Sequence, residues 1–440
     1  MTGVTDFPRD FPARAVVDLS AICDNVRALR RAASTAEVMA VVKADAYGHG
    51  LVPSAWAALA GGATWLGAAQ ACEALALRAA GITAVDARIL TWLHAPGVDF
   101  AALLDAEVDV SVSSPWALEA LAEAARATGR TARIHLKVDT GLGRNGITPA
   151  DLPDAVAMAA GLQAEEAVRV VGLWTHLAYA DEPGHPTIAA QRVVLDDAAR
   201  VLDAAGLDVE LRHAANSAAA LTAPELHYDL VRPGIAVYGF SPVPQVTPAS
   251  AFGLRPAMTL QARLATVKDV PGGHGVSYAH RYVTASDTRL GVVPIGYADG
   301  IPRHASGGGA AAGAVEGSGG PVYVGGPASA GIGAPQPDDA DGGRVLRVAG
   351  RVCMDQFVLD LGAYATELPG DVVTLFGSTD GLAHSAHVPS AEDWAAAAGT
   401  ISYEIVSRVG ARVPRVYVGE QVLDGRALAP RSVVEEMSWS

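Results

Sequence analysis

"AVVKADAYGHG" (residues 40–50) runs from an apolar stretch onto a single lysine, then straight into a polar turn bearing two glycines. Such a run reads as a buried strand whose last residue, Lys43, either reaches water or holds an amine at the mouth of a barrel. The surrounding chain repeats the pattern. "EVMAVVK" (37–43), "ATWLGAA" (63–69), "RILTWL" (88–93) and "DVSV" (109–112) are short, mostly apolar runs, as are "RIHLKVD" (133–139), "RVVGLWTH" (169–176), "LRHAAN" (211–216) and "DLVRPGI" (229–235). Continuous apolarity is the mark of parallel strands covered on both faces. Between them lie helical patterns such as "PWALEALAEAARATG" (115–129), with proline at the start and glycine at the stop. Eight strands with intervening helices predict an α/β fold, a (β/α)8 TIM barrel, with a doubly wound open sheet as the alternative.

The texture changes after residue 253. "RPAMTLQARLATVKDV" (255–270), "RLGVVPIGYADG" (289–300), "VLRVAGRVCMDQFVLDL" (345–361), "DVVTLFG" (371–377) and "RVPRVYV" (412–418) alternate or run apolar between glycine and proline breaks, which predicts a mostly β second domain. One helical pattern, "AEDWAAAAG" (391–399), interrupts it and leads into "TISYEI" (400–405). The expected organisation is a flexible N-terminal tail over 1–12, a barrel over 13–253 and a β-rich domain over 254–440. A first strand, "RAVVDL" (14–19), is open to pairing with the β domain. Residues 305–343 are so rich in Gly, Ala, Ser, Pro and Asp that they predict a flexible insertion, with "PVYV" (321–324) able to form a small hairpin.

Bulk properties narrow the function. A formal net charge of −15 argues against nucleic acid and anionic membranes as partners. No apolar run is long enough to span a bilayer, and "MTGVTDFPRDFPARA" (1–15) has neither a basic cap nor an apolar signal core. A soluble, cytoplasmic protein is expected. Cys23, Cys72 and Cys353 are too scattered for a disulfide framework or a metal site, so no metal is expected, and Cys353 reads as a small buried apolar residue.

In a barrel, the C-terminal strand ends converge on one face, where chemistry is done. Polar residues recur there: Lys43 ends the first strand, Lys137 and Asp139 the fifth, His176 the sixth, while Asn216 and Ser217 follow the seventh and Arg232-Pro233-Gly234 ends the eighth. Local sequence leaves each open to a plainer reading. Ser217 suits a helix N-cap equally well, Arg232 a surface ion pair, and Lys137 an ordinary pair with Asp139.

"AVVKADAYGHG", "HLKVDTGLGRNG" (135–146), "GLWTHLAYADE" (172–182), "HAANSAA" (213–219) and "VRPGIAVYG" (231–239) resemble, in order, the motifs of the alanine racemase family. The resemblance continues through "GVSYAHRY" (275–282), "PIGYADG" (294–300), "RVCMDQF" (351–357) and "TISYEI". It implies a pyridoxal 5'-phosphate barrel plus a β domain, working as a head-to-tail homodimer with active sites shared between subunits. Lys43 would be the Schiff-base amine, its pKa lowered by burial. Tyr47, Ser217, the Gly234 and Ile235 backbone and Tyr403 match phosphate ligands, with Asn216 beside them. Arg232 would meet the ring nitrogen, where arginine can only donate. Arg144 matches the arginine at the cofactor phenolic oxygen and the substrate carboxylate, and from the partner's β domain Met354 would offer its backbone N–H to that carboxylate, with Asp355 buttressing the turn.

Racemisation takes a proton from one face of a carbon and returns one to the other, so two acid/bases are needed. The resemblance assigns Lys43 to one face and Tyr278, from the partner subunit, to the other, with His176 linking that tyrosine to Arg232. Tyr297 and Tyr403 match the residues narrowing the entrance, and Lys137 matches a position often carbamylated. The activity implied is interconversion of L- and D-alanine for peptidoglycan. Racemisation of another small amino acid such as serine is an alternative, because so small a difference is worth only about 1–3 kcal/mol. A related barrel-plus-β decarboxylase would place a glutamate where Arg232 stands. A non-enzymatic pyridoxal phosphate carrier would lack the β domain.

Overall fold

The computed structural model describes residues 7–308, 318–325, 343–377 and 388–423. They divide into two compact units, one comprising Ser20–Ala46 and Gly50–Arg255, the other up to Leu19, with Tyr47–His49 and Pro256–Glu420. Strand β1 (Ala13–Asp18) belongs to the second unit.

The first unit is built on β2 (Glu37–Val41), β3 (Trp65–Ala68), β4 (Arg88–Thr91), β5 (Asp109–Val112), β6 (Ala132–Lys137), β7 (Val168–Trp174), β8 (Leu211–His213) and β9 (Leu230–Val231). Their order is β8-β7-β6-β5-β4-β3-β2-β9, every pair parallel. The Asp229 N–H donates to the Arg212 carbonyl at 3.0 Å and the Arg232 N–H to the Ala215 carbonyl at 2.8 Å, so backbone bonds also join the β8 and β9 ends of the ring. Met39, Trp65, Leu90, Leu211 and Leu230 pack as one buried cluster with Trp92 against it. Each fully buried side chain of this size contributes about 1.5–3 kcal/mol, which closes strands as short as β9. At the N-terminal strand ends, Glu210 draws in Arg169 at 2.7 Å, Arg133 at 2.8 Å and Arg88 at 3.4 Å, a face that serves stability.

The second unit is mostly β. Strands β10 (Met258–Arg263), β11 (Thr266–Val270), β12 (Gly275–Val276), β13 (Tyr282–Val283), β14 (Thr288–Val293), β15 (Pro321–Val324), β16 (Arg344–Arg347), β17 (Phe357–Asp360), β18 (Val372–Phe376) and β19 (Arg415–Val418) join β1. A six-stranded sheet runs β16-β15-β18-β10-β1-β19, beside a three-stranded β11-β14-β17 and a two-stranded β12-β13. Strand β1 pairs antiparallel with β10 and parallel with β19.

Two composition-based expectations change. Residues 321–324 lie between β16 and β18, and Val322, Tyr323 and Val324 are buried, so this part of the 305–343 tract is core rather than flexible. Consecutive β-branched and aromatic residues suffice for a strand once both edges are paired. Residues 305–308, 318–320, 325 and 343 of the tract are described too, with Ala305 and Ser306 buried, and only 309–317 and 326–342 lie outside the described residues. In the expected tail, Phe7 is buried under the Arg14 and Arg263 guanidinium groups at 4.3 and 4.5 Å from its ring centre, while residues 1–6 lie outside the described residues. No helix among the described residues is long and apolar enough to cross a membrane.

Candidate active site

Strand β2 stops at Val41, and Lys43 opens a turn rather than ending the strand. Ala44, Asp45, Ala46 and Tyr47 all have positive φ, between 52° and 55°, a left-handed turn made without glycine. Each such residue costs roughly 1–2 kcal/mol, so the conformation is imposed by its surroundings. The Ala46 N–H reaches the Val42 carbonyl at 2.8 Å, and the Asp45 carboxylate takes the Leu51 N–H at 2.7 Å. Beyond the turn, Gly48 has φ 81°, and a Cβ there would stand 2.3 Å from the Val406 carbonyl oxygen, so only glycine fits.

The barrel gathers positive charge at these strand ends. Lys137 is buried at the end of β6, with its Nζ 4.5 Å from the centre of the Trp174 ring. Burial, then Arg232 and Arg144, push its pKa down to about 8, against the pull of Asp139. Lys43 is lowered by burial and by Arg144, with Glu73 opposing. Asp139 does not pair with Lys137 as the plainer reading had it. Its carboxylate accepts the Gly141 and Gly143 N–H groups at 3.0 and 3.1 Å, shaping the loop that carries Arg144.

Arg232 is buried and, among the described residues, paired with no carboxylate, which rules out the surface ion pair. It donates to the Thr175 carbonyl at 2.8 Å and the Ala214 carbonyl at 3.2 Å, and its Nη2 lies 3.5 Å from His176 Nδ1. Burial brings its pKa down to about 9. The His176 imidazole is held well below its ordinary pKa by burial and then by Arg232, Arg144, Lys137 and Lys43, so it is neutral.

Behind Arg232 runs a buried chain that the sequence reading missed. Arg232 Nη1 is 3.2 Å from His213 Nδ1, His213 Nε2 is 2.9 Å from His135 Nδ1, and His135 Nε2 is 3.4 Å from the Asp109 carboxylate. Arginine has no acceptor, which fixes every tautomer along the line. His213 accepts at Nδ1 and donates from Nε2, then His135 accepts at Nδ1 and donates from Nε2 to Asp109. A Cβ at Gly172 would sit 2.1 Å from His135 Nδ1, so only glycine leaves room for this ring. The signal in the sequence was alternation: His135 lies two residues before Lys137 on the same strand.

Asn216 and Ser217 divide their roles differently from the expectation. The Asn216 side chain is the N-cap of the helix Ser217–Thr222, taking the Ala219 N–H at 3.1 Å. Ser217 Oγ instead accepts the Gly234 N–H at 2.8 Å and the Ala236 N–H at 3.3 Å, bringing that hydroxyl together with the backbone before Ile235.

The second unit holds the remaining residues. The Tyr47 and Tyr403 rings lie 6.2 Å apart, and burial, then Tyr403, push the Tyr47 phenol up. The Tyr297 N–H donates to the Cys353 carbonyl at 3.0 Å and the Ala298 N–H to the Met354 carbonyl at 2.9 Å, so the tyrosine turn and the methionine turn are zipped together. Arg412 clamps them from behind, binding Asp299 at 2.8 Å and Asp355 at 2.7 Å. Cys353 is only partly buried, with its Sγ 3.4 Å from Ser277 Oγ, so it is not the apolar filler expected. Tyr278 is 69% exposed and follows Ser277, whose φ is 60°.

The family models described as "Alanine racemase, N-terminal domain" and "Alanine racemase, C-terminal domain" match residues 17–242 and 257–417. The chain is 54% identical over 409 residues to an alanine racemase from Frankia casuarinae, covering 93% of this chain and 97% of that protein. It is similar to the solved alanine racemase from Streptomyces coelicolor A3(2), with a TM-score of 0.84 and 54% identity over 93% of this chain and 98% of that one. The alanine racemase of Clostridium difficile 630 matches with a TM-score of 0.79 and 30% identity over 93% and 97% of the two chains. With both domain models matched in order and relatives 54% identical across 93% of its length, the chain belongs to the alanine racemase family.

Proposed function

We propose that this protein interconverts L- and D-alanine with pyridoxal 5'-phosphate, as a cytoplasmic homodimer supplying D-alanine for peptidoglycan. The observation that carries the reading is Arg232, a buried cation with no carboxylate partner among the described residues, in a rim that also gathers Lys43, Lys137 and Arg144. In a chain of net charge −15, that local surplus fits a phosphate-bearing cofactor and a carboxylate substrate. The cofactor, when bound, withdraws electron density from the substrate's α-carbon and so acidifies its proton.

The chain's own groups then divide the work. Lys43 tethers the cofactor and, as a neutral amine, exchanges the α-proton on one face. Tyr278 of the partner subunit serves the opposite face. Its exposure within one chain supports such a role, because a residue reaching into a neighbour's site must be unburied in its own. Ser217 with the Gly234 and Ile235 backbone would hold the phosphate, and Asn216 fixes the helix start beside that cluster. Arg144 and the backbone N–H of Met354 of the partner subunit would orient the substrate carboxylate. Arg232 would stand against the ring nitrogen as a donor that keeps its proton, an arrangement that weakens the electron sink and favours simple proton return over decarboxylation. Neutral His176, whose Nδ1 faces the Arg232 donor, would donate from Nε2 to the hydroxyl oxygen of Tyr278 of the partner subunit. Tyr297 and Tyr403 narrow the entrance against longer side chains.

The test is circular dichroism of alanine incubated with the cofactor-loaded protein. The signal from either enantiomer is expected to decay to zero, with L-serine slower by at least about tenfold. A constant signal from both alanines would overturn the reading.

Lys137 carries a carbamate in this proposal, converting a cation crowded by Arg232 and Arg144 into their counter-charge. The amine adds carbon dioxide only when neutral, and its pKa is about 8. The carbamate resonance of protein exchanged into carbon-13 bicarbonate is therefore expected to grow from about pH 7 to about pH 9 and to vanish in Lys137→Ala. A spectrum identical in the variant and the parent would refute it.

A further inference from the structure

We propose that Glu73 is the positioning residue of Lys43, one carboxylate oxygen holding the left-handed turn that carries the lysine while the other caps its own helix. The inference rests on the reading of Lys43 as the acting amine. Glu73 stands in the first turn of the helix Ala71–Ala79, and its Oε2 accepts the Ala69 and Gln70 N–H groups, both at 3.0 Å. That is an ordinary cap and occupies one oxygen. The other, Oε1, accepts the Ala44 N–H at 2.6 Å, a charge-assisted bond to the peptide immediately after Lys43.

Ala44 is where φ changes sign, at 55°, and nothing in its side chain favours that conformation. The far end of the turn has its own fastening through Asp45, whose carbonyl takes the Gly50 N–H at 3.0 Å. Glu73 supplies the fastening at the near end. Were Ala44 to relax to negative φ, the chain direction after Lys43 would change and the amine would be re-aimed. The same carboxylate places a negative charge beside a lysine that Arg144, Lys137 and His176 face from other strand ends.

Holoenzyme variants test the assignment, with two readouts: kcat and KM for alanine, and the rate at which the cofactor-stripped full chain takes up pyridoxal phosphate, followed by Schiff-base absorption. Glu73→Ala is expected to lose about 10- to 100-fold in kcat with KM nearly unchanged, and to take up cofactor at least about tenfold more slowly. Glu73→Gln, which keeps an oxygen for Ala44, restores most of both. Asp99→Ala, which removes the cap of the helix Phe100–Asp105 elsewhere in the barrel, leaves both unaltered. If Glu73→Ala fails to fold, Glu73→Asp decides, since its shorter carboxylate keeps the charge but withdraws from Ala44, and kcat should fall about tenfold. Wild-type rates in the Ala or Asp variant, or a Gln variant no better than Ala, would overturn the proposal. A wild-type protein that neither takes up cofactor nor racemises alanine would instead remove the functional reading beneath it.

Discussion

Lys43→Ala is expected to abolish racemisation, with a loss of at least about 10⁴-fold, because one substitution removes both the cofactor tether and the acid/base of one face. Stability should not suffer. Burial and Arg144 disfavour the charged form of this lysine, so its removal costs the barrel mouth little. The measurement is circular dichroism of alanine alongside thermal unfolding and cofactor absorption. A folded variant that still races alanine to equilibrium, or still forms the Schiff base, would show that another amine does the work.

Tyr278→Phe should cost about 10²–10⁴-fold in kcat, the usual contribution of one positioned acid/base. At 69% exposure its hydroxyl contributes little to folding, so unfolding midpoints should match those of the parent. Mixed with Lys43→Ala under subunit exchange, it gives the sharper result. Half the random dimers carry one variant of each kind, and each of those has one intact site of two, so about a quarter of wild-type activity should return. If mixed dimers are demonstrated and activity stays at the level of the separate variants, the shared site is wrong.

Much of this could be seen in the chain before folding. Six of the eight barrel strands fall within the apolar runs and the other two, β6 and β7, begin one residue before theirs, while Lys137, His176 and Arg232 lie at or within two residues of the observed strand ends. The strand limits shifted because the apolar run continues through Val42 to Lys43 while the strand itself ends with Val41. At "PVYV" the expected pairing is present, but the glycine-rich flanks hide that those four residues gain two strand neighbours and become core. Asn216 and Ser217 are equally good caps on paper, and the choice fell to Asn216 because Ser217 Oγ meets the Gly234 N–H, 17 residues away.

Barrel, β domain and the polar residues of the rim were legible because they rest on short-range facts: which neighbours are apolar, where glycine interrupts, which side chain follows a strand. The left-handed turn at "KADAY" was not, since Ala44, Ala46 and Tyr47 have no preference for positive φ and the turn is held by Glu73, 29 residues from Ala44. Nor was the chain from Asp109 through His135 and His213 to Arg232, whose histidines stand 78 residues apart. Contacts of that range exist only once ring closure sets the strands side by side. There the loss of water makes every unpaired donor costly, and the partners become obligatory.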